Sequence, residues 1–268
     1  MASIDTRFSG SVPANYERYM VPLLFRPYAQ ILAERAAQLA PRQILETAAG
    51  TGVVTAALAH ALPDAEIVAT DLNQPMLDVA ATRVSSDKVS FRECDALDLP
   101  FEDGSFDLVV CQFGVMFFPD KVRGFVEARR VLRDGGHLLL ASWDRIELNP
   151  LTDIAQQVME RKFPENPPMF MRRGPFSYHD PAWIERDLEE AGFSDISIET
   201  IEEMSRAPSA EEAARGLSYG SPMAVELEGY GPGALDAVFA EFAEEARRYE
   251  GPDGFEAPMS AHIVTAKP

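Results

Sequence analysis

The chain has 268 residues, of which 46% are hydrophobic and 25% charged, so it has the composition of an ordinary globular protein. Its formal net charge of −19 argues against nucleic-acid binding, which requires clustered Lys and Arg, and against docking on an anionic membrane. No apolar run approaches the roughly 20 residues of a membrane span, and residues 1–7 lack the pattern of a signal peptide. We therefore expect a cytoplasmic protein.

The first 41 residues predict an N-terminal helical arm, with a helix over residues 23–39. The next segment predicts a buried strand, a tight turn and the start of a helix. The apolar run Ile44-Leu45 ends at Glu46, small residues and glycines follow to Gly52, and residues 53–62 have a helical pattern. Glycines let a ligand approach the backbone, and the unpaired N–H groups of a helix start face the same place. This turn is suited to holding a small polar ligand.

Four more strands follow in chain order. Residues 66–71 predict a strand that ends at Asp71, roughly twenty residues after the glycine turn, where a doubly wound fold places a carboxylate on a ribose. A nicotinamide-dependent oxidoreductase fits this spacing, but its fingerprint requires Gly or Ala at the position of Thr55. A third strand near Phe91 leads to the pair Asp95-Ala96, and residues 106–111 predict a fourth. Residues 131–140 contain the end of a helix, a Gly-Gly turn and a fifth strand.

These five motifs, in this order and spacing, resemble the class I S-adenosylmethionine-dependent methyltransferases, specifically the small-molecule branch of the ubiquinone/menaquinone-biosynthesis type. The resemblance covers residues 43–143 and implies a Rossmann-like α/β fold. The expected sheet has seven strands, mostly parallel with the last one antiparallel, and helices on both faces. One departure is Ala48, which stands where the family usually has Gly in an E/D-x-G-x-G-x-G pattern.

The resemblance also implies the residues of a cofactor site. Glu46 would lie near the methionine ammonium of S-adenosyl-L-methionine, Asp71 would accept from both ribose hydroxyls, and Leu72 would pack on the adenine. Asp95 would accept from the adenine amino group. The full set of expected cofactor contacts is Tyr16, Glu46, Ala48, Gly50, Thr51, Asp71, Leu72, Met76, Asp95, Ala96, Cys111, Gln112 and Phe113.

The methyl acceptor is expected to be a small, largely apolar or aromatic molecule. Met116 and Phe117 follow the fourth strand at its carboxyl end, where ligands bind in open α/β sheets. Tyr19 resembles part of the family's N-terminal lid, together with Tyr16, and Tyr178 follows the fifth strand. Of the four histidines, only His179 is predicted to lie within reach of a substrate, so it is the candidate general base. No metal-ligand spacing is present.

We expect a single domain with three parts: an arm or lid over residues 1–41, a cofactor core over 42–143, and a remainder over 144–268. In the remainder, residues 183–193 predict a helix, 195–201 and 261–266 predict strands six and seven, and the inserted segments 210–217 and 234–250 predict helices. Cys94 and Cys111 are expected to be reduced thiols.

The expected partners are the small-molecule acceptor and, in a homodimer, a second copy of the chain. Two alternatives stay open at this point. One is a nicotinamide-dependent oxidoreductase, and the other is a non-catalytic protein that binds the cofactor or has lost it.

Overall fold

The computed structural model describes residues 12–268. The predictions for residues 1–11, including the absence of a signal peptide, lie outside this part of the chain. None of the helices in the described part is long and apolar enough to cross a membrane.

The strands form one sheet in the order β3-β2-β1-β4-β5-β8-β6, with the short β7 paired to β8. The pairs from β3 to β5 are parallel, and β8 runs antiparallel to β5. The predicted α/β fold with an antiparallel last strand is therefore confirmed. The strands are β1 Gln43–Glu46, β2 Glu66–Asp71, β3 Val89–Glu93, β4 Phe106–Gln112, β5 Leu132–Trp143, β6 Ser194–Ala207, β7 Glu250–Gly251 and β8 Gly254–Lys267.

Apolar residues explain why β1 and β4 occupy the middle of the sheet. Ile44, Leu45, Leu108 and Val110 are fully buried, as expected for strands of a parallel sheet that carry continuous apolar runs. β1 and β4 are neighbours, but the strand after β1 is β2, towards one edge of the sheet, and the strand after β4 is β5, towards the other. In such folds ligands bind at the carboxyl ends of the two strands where the order reverses in this way.

The helices precede the first strand or lie between strands along the chain. They are α1 Val12–Asn15, a π-helix Tyr16–Phe25, α2 Arg26–Leu39, α3 Val53–Ala61, α4 Gln74–Arg83, α5 Lys121–Val131, α6 Pro150–Lys162, α7 Phe170–Arg173, α8 Pro181–Glu190, α9 Ala210–Tyr219, α10 Met223–Glu228 and α11 Ala234–Ala246. Short 3₁₀ turns cover Val115–Phe117, Ile146–Leu148 and Arg247–Tyr249.

Several predicted boundaries were wrong. The sheet has eight strands because the short β7 pairs with the start of β8. β6 and β8 each have 14 residues, about twice the predicted length. The helix predicted over residues 23–39 starts earlier, as the π-helix that contains Pro22. The predicted Gly-Gly turn lies inside β5, where Gly135 has φ +77° and the register against β4 shifts.

The chain forms two compact units. One, here called the sheet unit, comprises Tyr28–Trp143, Tyr178–Ile201 and Ala261–Pro268. The other, here called the helical unit, contains Asp144–Ser177, Glu202–Ser260 and the described residues before Tyr28. In the helical unit, α9 packs against α11 and against the π-helix, and α6 packs against α11. The three-part division predicted from the sequence stays a prediction.

Candidate active site

Two buried carboxyl groups mark the carboxyl edge of the sheet unit. Glu46 ends β1 and is 2% exposed, and Asp71 ends β2 and is 8% exposed. The two strands are parallel neighbours, so their last residues lie at the same edge. Buried acids without a paired cation are costly, which points to a ligand or a hydrogen-bond network that needs them there.

Glu46 is held by threonines on two sides. The Thr55 hydroxyl, in the first turn of α3, donates to Oε2 of Glu46 at 2.6 Å, and the Thr70 hydroxyl donates to the Glu46 carbonyl at 2.8 Å. Burial raises the pKa of the Glu46 carboxyl to about 8; the Thr55 hydrogen bond lowers it and the nearby Asp71 raises it. In the sequence, Thr55 counts only against a dinucleotide site. Its contact with Glu46 could not be predicted, because no motif shows when the first turn of a helix faces back onto the preceding strand.

The loop between β1 and α3 is fixed by one backbone carbonyl and one side-chain carboxyl of β2. The Ala49 N–H donates to the Thr70 carbonyl at 2.9 Å, and the Gly50 N–H donates to Oδ2 of Asp71 at 2.8 Å. Gly52 has φ +78°, and a Cβ there would lie 2.9 Å from that of Ala80. Glycine is therefore required at this position, both for its conformation and for the close approach of α4.

Ala48 is accommodated by a glycine in another loop. Its φ is +54°, in the left-handed region that disfavours a Cβ. A Cβ added to Gly114 would lie 2.4 Å from the Ala48 Cβ and 3.0 Å from the Cys111 Sγ. The methyl group of Ala48 thus fills the space that the missing side chain of Gly114 leaves.

Glu46, the loop of residues 47–52, Asp71 and Leu72 are here called the cradle, and three further features concern its polar and apolar surface. The Thr51 hydroxyl is buried and has no hydrogen-bond partner among the described residues. Oδ1 of Asp71 accepts from the Asn73 N–H at 2.8 Å, and burial raises the pKa of Asp71. Leu72 is 47% exposed beside this buried acid. A ligand with polar groups and a flat apolar part would satisfy all three.

The residues expected around the adenine have different environments. Asp95 is exposed, and its Oδ1 accepts from the Leu97 N–H at 2.9 Å, which closes the turn after β3. Ala96 is half-buried, and Met76 is buried in α4 with 3% exposure. The adenine contacts of Asp95 and Ala96, and the cofactor contact of Met76, stay predictions.

Aromatic stacking fixes the end of β4. Phe113 has φ +53°, its ring stacks on Trp143 with centroids 3.9 Å apart, and Tyr28 meets it edge-on at 5.4 Å. The neighbouring Cys111 is buried, which raises the pKa of its thiol, and Gln112 is half-buried. Both cysteines are free thiols, as the sequence predicted.

The expected acceptor residues follow in the 3₁₀ turn Val115–Phe117. Met116 is 3% exposed and Phe117 is half-buried. The Lys121 ammonium donates to the Phe118 carbonyl at 3.0 Å and to the Met116 carbonyl at 3.4 Å, so it holds this turn against the start of α5. No motif in the sequence marks Lys121 for this role.

Tyr178 and His179 are anchored to β5 and β8 through their carbonyls. The Ser142 hydroxyl donates to the Tyr178 carbonyl at 2.7 Å, and Nε2 of His262 lies 2.9 Å from the His179 carbonyl oxygen. The Tyr178 hydroxyl donates to Asp187 at 2.8 Å, and burial together with this bond raises its pKa. The His179 ring is half-buried and lies 5.6 Å from that of Trp183. Its role as a base stays a prediction.

Tyr16 and Tyr19 lie in the π-helix of the helical unit. The Tyr16 ring stacks on the Phe25 ring with centroids 5.1 Å apart. Tyr19 packs closely on Gly216, since a Cβ added to Gly216 would lie 2.9 Å from the Tyr19 Cβ. Their predicted lid function stays a prediction. Within residues 12–268, no group of three His, Cys, Asp or Glu side chains is placed to hold a metal ion.

The sequence of this chain is similar to that of known proteins. Residues 45–140 match the family described as "Methyltransferase domain". A demethylmenaquinone methyltransferase of Lactiplantibacillus plantarum is 31% identical over 174 residues, which is 58% of this chain and 72% of that protein. The chain belongs to the class I S-adenosylmethionine-dependent methyltransferases.

Other relatives of this methyltransferase chain match over a shorter stretch. A demethylmenaquinone methyltransferase of Deinococcus radiodurans is 40% identical over 117 residues, covering 43% of this chain and 48% of that protein. One of Thermus thermophilus is 41% identical over 107 residues, covering 39% and 49%. The chain thus spans about half the length of the first curated relatives that it matches.

Solved structures share the fold. The YcgJ protein of Bacillus subtilis has a TM-score of 0.59 at 18% identity, covering 90% of this chain and 98% of that one. The phosphoethanolamine N-methyltransferase 2 of Haemonchus contortus, solved with S-adenosyl-L-methionine, has a TM-score of 0.52 at 20% identity, covering 85% and 49%. These likenesses support the Rossmann-like architecture of the methyltransferase.

Proposed function

We propose that this chain binds S-adenosyl-L-methionine and transfers its methyl group to a small, largely apolar or aromatic molecule. The observation that carries the proposal is the pair of buried carboxyls, Glu46 and Asp71, at the ends of adjacent parallel strands on either side of the glycine loop. The unpartnered Thr51 hydroxyl and the exposed Leu72 beside them fit a ligand with polar and flat apolar parts.

Each cradle residue has a role that its environment supports. Glu46 would pair with the ammonium group, since a buried carboxyl gains most from a cation. Asp71 would accept from the ribose hydroxyls, and Leu72 would cover the adenine. When bound, the cofactor supplies an electrophilic methyl group on a sulfonium. The chain's own contribution is then to orient the acceptor and exclude water.

The acceptor side rests on Met116, Phe117 and the Tyr178-His179 segment. Apolar and aromatic side chains at the carboxyl end of β4 suit a flat, weakly polar molecule. Because the relatives are named demethylmenaquinone methyltransferases, we propose a quinol-like aromatic acceptor. A half-buried His179 would take a proton from a hydroxyl of that acceptor. We further propose a cytoplasmic location and a homodimer.

The alternatives raised by the sequence gain no support. Thr55 occupies the place of the third fingerprint glycine and is committed to Glu46, and none of the relatives reported above is named as a nicotinamide enzyme or a non-catalytic protein.

Isothermal titration calorimetry with S-adenosylhomocysteine and with NADH tests the cofactor. We expect binding of the first and none of the second, and the reverse result would overturn the proposal. The acceptor is then sought by incubating the protein with labelled cofactor and a panel of quinols and simple phenols. Mass identification of the labelled product reads out the acceptor class.

A further inference from the structure

The cradle contains a contact that neither the sequence motifs nor the family relationship assigns. Thr55 is fully buried, and its hydroxyl is 2.6 Å from Oε2 of Glu46. A threonine hydroxyl has one hydrogen to donate. Here that hydrogen is directed at the carboxyl group that is proposed to meet the cofactor's ammonium. Thr55 does not itself need to touch the cofactor to affect its binding.

The burial of the Glu46 carboxyl and the titratable groups near it disfavour its ionisation. Asp71 at the end of β2 and Cys111 at the end of β4 are the titratable groups whose interaction with it is resolved, and each would be anionic when ionised. Thr55 on α3 is an uncharged donor to the carboxyl, whereas the Thr70 hydroxyl on β2 donates to the main-chain carbonyl of Glu46. No cation is among the groups that act on this carboxyl in the described structure. Burial and the nearby Asp71 raise the pKa of the Glu46 carboxyl to about 8, so the neutral acid is favoured at neutral pH when no ligand is bound. A bound ammonium group would favour the carboxylate instead.

We propose that Thr55 is the positioning residue of Glu46, and that capture of the cofactor's ammonium group expels the proton of the Glu46 carboxyl to solvent. In this step the carboxyl O–H bond breaks, its electron pair stays on the oxygen, and the new carboxylate pairs with the ammonium. Thr55 directs one oxygen and stabilises the charge that forms there. The inference rests on the proposed function, because it requires the cofactor to bind in this cradle.

Calorimetry with S-adenosylhomocysteine measures the proton directly. Titrations at about pH 6.5, where a free α-amino group of pKa about 7.7–8.0 is already protonated, are run in two buffers with different ionisation enthalpies. The difference in observed heat gives the protons released per ligand bound. We expect the wild type to release close to one proton, and Glu46→Gln to release none while keeping the fold. Equal release by the two proteins would overturn the proton step.

Two substitutions test Thr55. Thr55→Val has nearly the same shape but no hydroxyl, and we expect its affinity for S-adenosylhomocysteine to fall on the order of tenfold or more, since a hydrogen bond to a charged group is lost. Thr55→Ser keeps the hydroxyl and should restore most of the affinity. We also expect the Thr55→Val protein to retain its proton to a higher pH, because the neutral acid is favoured when the donor is lost.

The outcomes separate the inference from the function on which it rests. If the wild type does not bind S-adenosylhomocysteine, the proposed function fails. If it binds without releasing a proton, or if Thr55→Val binds as tightly as the wild type, the inference fails and the function stands. Circular dichroism of each variant shows whether it is folded. Should Thr55→Val fail to fold, Thr55→Ala is measured against Thr55→Ser in the same assay.

Discussion

Ala48 and Gly114 are complementary: the Cβ of Ala48 occupies the place where a Cβ of Gly114 would stand, with only 2.4 Å between the two positions. Ala48 belongs to the loop after β1, and Gly114 starts the turn after β4. Gly114 itself has φ −103° and ψ −38°, a conformation open to any residue. It is therefore the packing against Ala48, and not the backbone, that requires glycine at position 114.

This relationship predicts a strong coupling between the two positions. Gly114→Ala should destabilise the protein by about 1–3 kcal/mol, the usual cost of overpacking a buried site. Ala48→Gly should be tolerated, since it relieves a left-handed alanine, and it should remove most of the cost of Gly114→Ala in the double variant. Urea unfolding of the four proteins gives the coupling free energy. Strictly additive effects would show that the loops do not touch in solution.

A larger side chain at position 48 should act on the cofactor. Ala48→Leu places three more carbons in a half-buried loop beside the glycines of the cradle. We expect it to overpack the contact with Gly114, displace the loop and abolish S-adenosylhomocysteine binding, while thermal unfolding stays cooperative at a lower midpoint. Ala48→Gly is the matched control and should bind as well as the wild type or more tightly. Normal binding by Ala48→Leu would mean that the cofactor does not pass along this loop.

Asp71 should matter for the cofactor more than any exposed acid of the neighbouring helix. Asp71→Asn removes one acceptor oxygen and the negative charge, so binding of S-adenosylhomocysteine should weaken on the order of ten- to a hundredfold. Asp78→Asn is the control, because Asp78 is exposed on α4 and its side chain accepts only from Gln74 among the contacts resolved. Calorimetry on both variants decides the point. Equal dissociation constants would refute the ribose assignment.

The strand ends and the glycine loop could be located from the sequence, whereas the contacts between separate elements could not, and the reason is physical. Asp71 and the glycine loop are set by a strand end and a turn, which are local features that spacing along the chain reveals. The contact of Thr55 with Glu46 and the stacking of Phe113 on Trp143 depend on how separate elements meet. Sequence periodicity carries no record of such contacts. For the same reason the sequence does not explain why Ala48 replaces the family's usual glycine, whereas its packing against Gly114 does.

The ionisation of Glu46 predicts how stability depends on pH. Its pKa is about 8 in the folded protein, mainly because of burial, against an ordinary value of 4.5. Between these values the folded state binds more protons than the unfolded state, so this residue makes stability fall as the pH rises through that window. The slope should be at most about 1.4 kcal/mol per pH unit.

The Glu46→Gln variant lacks this contribution to the pH dependence of stability, because its amide does not titrate. Its amide oxygen can still accept the hydrogen bond from Thr55. The free energy of unfolding in urea, measured from about pH 5 to pH 8, should therefore decline more steeply for the wild type. The advantage of the variant should grow towards pH 8. Parallel curves for the two proteins would show that Glu46 is ionised throughout and that its burial is not felt.

Phe113 and Phe117 should respond differently to truncation, although both were expected to border the ligand. The Phe113 ring is 7% exposed and is enclosed by Trp143 and Tyr28, so Phe113→Ala should cost about 3–5 kcal/mol of stability. Phe117 is half-buried in the turn that Lys121 holds. Phe117→Ala should therefore cost much less stability and act mainly on turnover with the acceptor, with unchanged S-adenosylhomocysteine binding.

Urea unfolding, calorimetry and methyl-transfer rates on both variants separate these effects. If Phe117→Ala leaves turnover with the identified acceptor unchanged, the acceptor does not contact this turn, and the pocket must be built from other residues of the sheet's carboxyl edge.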